Sequence, residues 1–84
     1  MNEPDLEFII FTPKDVAEIL DITTRKVRRL CQTGQLIYSK IGPLYRVQAT
    51  DLKEFIEKNT PEAESRFREA VQYRLAKILG SADE

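Results

Sequence analysis

Two short helices are predicted by residues 12–34, which read TPKDVAEILDITTRKVRRLCQTG. Thr12 and Thr23 each stand just before an amphipathic segment, where a hydroxyl side chain caps a helix. The proline after the first cap suits the first helical position, and the closing glycine suits the left-handed residue that ends a helix. The pattern predicts helices over residues 13–20 and 24–33 joined by a short turn, which is a helix–turn–helix.

The second predicted helix has two faces of opposite character. At about 100° per residue, an apolar side is formed by Val27, Leu30 and Cys31. The other side is polar and basic, and its members are Arg25, Arg29 and Gln32, with Lys26 and Arg28 on the flanks. Such a helix is held to its domain by the apolar side and presents hydrogen-bond donors on the other.

The charge of the chain is uneven along its length. Its total of −1 by itself argues against a nucleic-acid partner. Between residues 22 and 50, however, the chain has six bases and no acid: Arg25, Lys26, Arg28, Arg29, Lys40 and Arg46. The segments on both sides carry more acids than bases. Such a block is typical of a surface that faces phosphate, although a solvated basic face without a ligand has the same pattern.

Two β-prone runs follow the second helix and predict a hairpin. Residues 36–39 and 45–48 flank Ile41-Gly42-Pro43-Leu44, where glycine and proline favour a reversal of the chain. Another β-prone run, Phe8-Ile9-Ile10-Phe11, precedes the first helix and is either a strand or a simple tether to the core.

Two more helices are predicted, over residues 51–58 and 61–79, with Thr50 and Thr60 as their caps. The predicted fold is therefore mainly α: a winged helix–turn–helix with a two-stranded β-hairpin as its wing and an additional C-terminal amphipathic helix. The expected division of the chain is an N-terminal arm over residues 1–10, the winged helix–turn–helix over residues 11–59, and the C-terminal helix with its tail over residues 60–84.

The last predicted helix has an apolar stripe that includes Phe67, Val71 and Ile78. The stripe has two interpretations, because an amphipathic helix serves either. It is an interface for a second copy or a partner protein, or it folds back against Phe8 and Ile10 to complete a thin core.

The composition argues against catalysis and bound metal. The chain has no His and a single Cys, which permits neither an internal disulfide nor a multi-cysteine metal site. Without an imidazole base, neither enzymatic activity nor a cofactor is expected, and Cys31 is expected to be a small core residue. The longest apolar run, Phe8–Phe11, is far too short to span a bilayer, and no export signal opens the chain. We therefore expect a cytoplasmic protein without membrane contact.

These ordered motifs resemble the excisionase-type, MerR-like DNA-binding domain. Residues 11–20, FTPKDVAEIL, are similar to its opening, which combines an aromatic residue, Thr, an acid and Val-Ala followed by Leu. The recognition helix and the turn into the wing resemble Ile22–Leu30 and Thr33-Gly34-Gln35-Leu36. The wing and the closing helix resemble Gly42, Tyr45-Arg46-Val47, Asp51-Leu52 and Phe55-Ile56.

The resemblance covers about residues 10–58 and implies DNA binding, as in phage and plasmid excisionases, MerR-like regulators and related mobile-element proteins. Pro43-Leu44 stand where that family often has a basic residue, which weakens the expected contact of the wing with phosphate. The metal-binding cysteines and the effector domain of the MerR regulators have no counterpart in this sequence.

The second helix is expected to enter the major groove. Arg25 and Arg29 are best placed for base edges, since an arginine can bind O6 and N7 of guanine together. The full set of candidate DNA-binding residues is Thr23, Thr24, Arg25, Lys26, Arg28, Arg29, Lys40 and Arg46. Thr23 has an alternative role as a helix cap only, and Arg46 could instead pack across Tyr38.

The expected function is sequence-specific binding of double-stranded DNA by a small regulatory or architectural factor, in transcription control or in recombination of mobile elements. One small module binds modestly, so we expect a homodimer, a cooperative array or a partner protein such as an integrase. The alternative is a protein-interaction adaptor of a recombination or phage-packaging machine, which docks through the helix over residues 61–79.

Overall fold

Residues 6–80 are described by a computed structural model of the protein, apart from the side chains of Glu7 and residues 78–80. The elements in chain order are a 3-10 turn (Leu6–Phe8), β1 (Ile10–Phe11), α1 (Pro13–Leu20), α2 (Thr24–Gln32), β2 (Ser39–Ile41), β3 (Leu44–Gln48), α3 (Ala49–Asn59), a second 3-10 turn (Pro61–Ala63) and α4 (Glu64–Gly80). Helices that surround a small antiparallel sheet confirm the predicted winged helix–turn–helix.

The first two helices begin at the caps that the sequence predicts. Oγ1 of Thr12 accepts a hydrogen bond from the N–H of Asp15 at 3.2 Å, and the Asp15 carboxylate accepts one from the N–H of Thr12 at 3.1 Å. Oγ1 of Thr23 accepts from the N–H of Lys26 at 3.1 Å. Between the helices, Asp21 is left-handed with φ 61°, which a short polar residue tolerates better than an aliphatic one. The chain therefore reverses within three residues, and α2 packs against α1.

The predicted two-stranded hairpin is present, and β1 adds a third strand to it. β2 and β3 pair antiparallel with Ile41 opposite Leu44, which leaves a turn of two residues, Gly42 and Pro43. Gly42 has φ 59°, the positive value that the first residue of a tight hairpin turn of this kind requires. β1 pairs antiparallel with the other side of β3, so the strand order is β1-β3-β2. The wing is thus anchored to the segment that leads into α1.

The segment before β2 is not a strand, which corrects the β prediction over residues 36–39 at every position except Ser39. Leu36 closes the end of α2 instead: its N–H donates to the carbonyl of Leu30 at 3.1 Å, and its side chain is 1% exposed. Gly34 makes the turn at this point with φ 82°. β2 therefore begins only at Ser39.

Neither Thr50 nor Thr60 caps a helix with its side chain, although Thr60 does occupy the N-cap position of the 3-10 turn before α4. α3 begins at Ala49, so Thr50 lies inside its first turn, and the N–H of Ala49 donates to the carbonyl of Ile9 at 2.9 Å. Thr60 makes no side-chain cap; its carbonyl accepts from the N–H of Ala63 at 2.9 Å and closes a 3-10 turn. α4 starts after this turn rather than at the proline.

α4 folds back on its own domain and completes the core. Phe67 and Val71 are each 6% exposed, and Phe67 packs edge-on against Phe11 with ring centroids 6.3 Å apart. These two side chains are core residues and are not displayed for a partner, which corrects their assignment as an interface. Phe8 is 76% exposed, so Phe11 takes the place expected for it under α4. The side chain of Ile78 lies outside the described residues.

Two arginines hold α4 along α1 in antiparallel orientation. Nε of Arg66 donates to the carbonyl of Ile19, near the end of α1, at 2.7 Å. At the start of α1, a guanidinium nitrogen of Arg74 lies 3.0 Å from the Asp15 carboxylate, and the guanidinium carbon lies 5.2 Å from the centroid of the Phe11 ring. The carboxylate that caps α1 thus also fixes α4.

The residues before β1 contribute to the same core. Leu6 and Ile9 are 8% and 1% exposed, so this part of the predicted N-terminal arm packs on the domain. The rest of that arm and the tail over residues 81–84 lie outside the described residues. Among residues 6–80, no helix combines the length and the apolar character needed to span a membrane.

Candidate nucleic-acid interface

α2 is held by two buried side chains and presents its basic face to solvent. Val27 and Cys31 are 0% and 2% exposed, and both belong to the core. Leu30, predicted to lie on the same side, is only half-buried. The exposed side chains are Arg25, Lys26, Arg28, Arg29 and Gln32. The division of α2 into an apolar and a basic face is therefore confirmed.

Within the described part of the chain, the arginines of α2 have no competing partner. The ion pairs of residues 6–80 join carboxylates and bases of α1, α3 and α4. Within that part of the chain, the side chains of Arg25, Arg28 and Arg29 have neither a hydrogen-bond nor an ion-pair partner. An arginine in this state keeps all five of its N–H donors for a ligand.

The two threonines at the start of α2 differ in role. Oγ1 of Thr23 is the N-cap acceptor, so its alternative interpretation as a helix cap is confirmed. The hydroxyl proton of Thr23 is still able to donate, because a hydroxyl group has one donor in addition to its lone pairs. Thr24 is half-buried and lies in a groove between the helices and the wing.

This groove brings together bases from three separate elements. It has a volume of about 300 Å³ and lies between the start of α1, the start of α2 and the wing. Lys14 of α1, Arg28 of α2 and Arg46 of β3 line it, and no carboxylate does so in the described part of the chain. A concave surface with one sign of charge concentrates counter-ions. We call it the basic groove, and its chemistry suits phosphate.

Lys14 is the member of the basic groove that the sequence analysis missed. It is the only base among the first 21 residues, which also contain six acids. A count of charges segment by segment therefore assigns it to an acidic segment. One signal was available: Lys14 lies in the first turn of α1, where a positive charge opposes the helix dipole. Its charge therefore does not serve the helix dipole, and the structure places it on the groove.

The wing is stiffened by an aromatic cluster at its base. Tyr38 and Tyr45 stack with ring centroids 5.2 Å apart, and Nζ of Lys40 lies 5.2 Å from the Tyr45 centroid. Of the two basic residues of the hairpin, Lys40 is thus the one in contact with a tyrosine. Arg46 is half-buried and lines the basic groove. Nε2 of Gln32, at the end of α2, donates to the hydroxyl of Tyr45 at 3.2 Å. This bond joins the wing to α2.

Cys31 is placed as a core residue rather than as a reactive group. Burial raises the pKa of its thiol, which favours the protonated form that is neither a nucleophile nor a metal ligand. Among residues 6–80, no group of three or more Cys, Asp or Glu side chains is placed to hold a metal ion.

Two helices joined by a tight turn, the second of them basic and unpaired, with a hairpin beside it, define a winged helix–turn–helix DNA-binding domain. A family model described as a helix-turn-helix domain matches residues 10–60. The chain belongs to this helix-turn-helix family, which confirms the excisionase-type resemblance at the level of the DNA-binding domain. DNA is therefore its partner, and such domains are typically non-enzymatic. Comparison with curated proteins and with solved structures found no match.

Proposed function

We propose that the protein binds double-stranded DNA sequence-specifically, with α2 in the major groove and the β2–β3 hairpin as a wing on the adjacent backbone or minor groove. It acts in the cytoplasm as a small excisionase-like or MerR-like factor, in recombination or transcription control, without catalysis of its own. The observation that carries this proposal is the basic groove, where Lys14, Arg28 and Arg46 meet beside the unpaired face of α2.

The roles of the candidate residues follow from their exposure. Arg25 and Arg29 are exposed and unpaired within the described residues, so they reach base edges. Lys26 and the threonines at the start of α2 contact phosphate, aided by the N–H groups of the first turn. On the wing, Lys40 and Arg46 bind the neighbouring backbone, and the basic groove seats one phosphate between α1 and the wing.

Specific binding requires more than one module. A single small domain buries little DNA surface, so its affinity is modest. Because Phe67 and Val71 are buried in the domain, a second copy has to be recruited through other surfaces. We expect either cooperative binding of copies on adjacent sites or an integrase-type partner on the same DNA.

The adaptor function, with docking through the helix over residues 61–79, has less support. Its apolar stripe would have to serve a partner, and the described part of that stripe, Phe67 and Val71, already packs on α1 and α3. Within residues 64–77, a partner of α4 is thus left with the exposed side of the helix, which is mostly polar but includes Tyr73 at 63% exposure.

A titration with fluorescent duplex DNA tests the proposal. The probe is the duplex that the protein enriches most from a randomised pool, and binding is followed by anisotropy at two salt concentrations. We expect log K to fall with log salt with a slope of about −4 to −5, as the five bases assigned to phosphate would give. Arg25→Ala and Arg29→Ala should each weaken binding about tenfold or more.

The matched control is Arg68→Ala, which removes an exposed arginine of α4 that is paired with Glu64 at 2.8 Å. This variant should bind as the unaltered protein does. The proposal fails if the unaltered protein shows no salt-dependent binding, or if Arg25→Ala and Arg29→Ala are indistinguishable from Arg68→Ala.

A further inference from the structure

The tip of the wing is apolar and exposed. Ile41 and Leu44 are 64% and 52% exposed, and they face each other across the turn formed by Gly42 and Pro43. Residues 41–44 therefore contain no charged or hydrogen-bonding side chain at the point of the domain where a wing meets its ligand. We call these four residues the wing tip.

The surface around the wing tip is basic. Lys40 directly precedes it, and Arg46 lies on the same face of the hairpin as Leu44, since alternate residues of a strand share a face. Pro43 and Leu44 themselves line the basic groove. An apolar tip within a positive surface is complementary to a polyanion whose interior is apolar, which is the character of a DNA duplex.

The backbone of the turn favours burial of the tip. Pro43 has no N–H group, so one donor fewer has to be removed from water when the turn enters a narrow groove. The two-residue turn keeps the tip slim, and the Gln32–Tyr45 hydrogen bond and the Tyr38–Tyr45 stack hold the base of the hairpin. A hairpin that is held rigid at its base can deform a bound ligand instead of deforming itself.

We propose that the wing tip is a wedge that enters the minor groove and partly unstacks one base step, so that the bound duplex is kinked. Isoleucine, leucine and proline are side chains that proteins insert between base steps. This inference rests on the proposed DNA binding and deepens it by naming a further feature of the target. The target has an easily deformed step, such as TA or CA/TG, in the minor groove next to the site read by α2.

The test compares Ile41→Ser/Leu44→Ser with Ile37→Ser. Ile37 is 60% exposed but lines a different groove, with Asp51 and Glu54, so its variant removes exposed apolar surface away from the wing tip. The probe is the duplex selected by the unaltered protein, with a donor and an acceptor dye at its ends. A series of duplexes of the same sequence carries 2-aminopurine at one position each, so that the base steps next to the site read by α2 are probed in turn.

The unaltered protein and Ile37→Ser should bring the duplex ends closer and raise 2-aminopurine fluorescence at one step. The double variant should lose both signals and bind about tenfold more weakly, with the slope of log K against log salt unchanged, because no charge is removed. Thermal unfolding should be the same for all three proteins, since the altered side chains are exposed.

The outcomes distinguish the wedge from the DNA binding on which it rests. Absence of salt-dependent binding by the unaltered protein overturns both. Salt-dependent binding with the same bend and fluorescence in the double variant overturns the wedge alone. A change in the sedimentation of the free double variant, with its DNA signals intact, also overturns it and assigns the wing tip to contact between copies.

Discussion

α2 and α4 are both basic amphipathic helices, but they use their bases in opposite ways. In α4, each arginine has a partner inside the domain: Arg66 donates to the carbonyl of Ile19, Arg68 pairs with Glu64, and Arg74 pairs with Asp15. In α2, three arginines lie within five residues, and within the described part of the chain their side chains have no such partner.

If α2 binds DNA as proposed, pairing rather than the number of bases separates the binding face from the structural one. A paired arginine has committed part of its donor set and has lost side-chain freedom on folding. An unpaired, exposed arginine keeps its donors for a phosphate or a base edge. Substitutions of the structural arginines of α4 should therefore lower stability, and those of the arginines of α2 should lower DNA affinity.

The largest effect is expected at Phe67. Replacement with alanine leaves a cavity against Phe11, and a buried phenylalanine of this kind contributes about 3–5 kcal/mol to the free energy of unfolding. Urea denaturation followed by circular dichroism measures this loss. Tyr73→Ala is the control on the same helix, because Tyr73 is 63% exposed. Equal losses for the two variants would mean that α4 is not seated as described.

Arg74→Ala should have a smaller effect on stability, of about 1 kcal/mol. The substitution removes the half-exposed ion pair with Asp15 and the cation–π contact with Phe11. Arg29→Ala should change the free energy of unfolding by less than about 0.5 kcal/mol, since its side chain has no partner among residues 6–80. If Arg29→Ala destabilises as much as Arg74→Ala, the comparison between the two helices breaks down.

Lys14→Ala extends the comparison to α1. We expect the slope of log K against log salt to become shallower by about 1, with affinity reduced by the same amount for every duplex. Stability should be unchanged or slightly higher, because the substitution removes a positive charge from the first turn of a helix. Lys58→Ala, on α3 and paired with Glu54 at 3.3 Å, should leave the salt slope unaltered.

The smallest effect is expected at Asp51, in the first turn of α3. Burial raises the pKa of its carboxyl group, and the neighbouring Glu54 adds to this. The folded state therefore holds the proton more tightly than the unfolded state, so this group's contribution to stability is lost as pH rises through the raised pKa. Asp51→Asn should thus gain stability relative to the unaltered protein as pH rises from about 3 to about 7. If the free energy of unfolding of Asp51→Asn instead falls relative to that of the unaltered protein over this range, the predicted sign is wrong.

The sequence predicts the helices of the DNA-binding unit well because their start signals are local. The side chains of Thr12 and Thr23 bond to backbone groups three residues away, and an alternation of apolar and basic residues over two turns defines the faces of α2. Thr50 and Thr60 show the limit of this logic. Neither threonine makes a side-chain cap, and the N–H of Ala49 instead donates to the carbonyl of Ile9, far away in the chain.

The rest of the fold depends on contacts between distant segments. The pairing of β1 with β3 and the packing of Phe67 on Phe11 each join residues whose local patterns allow several partners. The basic groove has the same origin, because Lys14 meets Arg46 only after β1 has paired with β3. A charge count along the chain cannot detect basic residues that come together only in the folded structure.

α2 is attached to the domain through few positions: the buried Val27 and Cys31, the half-buried Leu30, the cap at Thr23, and the Gln32 bond to the wing. The side chains of four of its nine residues, at positions 25, 26, 28 and 29, are therefore not needed to hold the fold together. Any good helix-forming residue can occupy them at little cost to folding. Under the proposed mode of binding, the domain would be a scaffold on which new operators are selected by varying these four exposed positions while the core remains as it is.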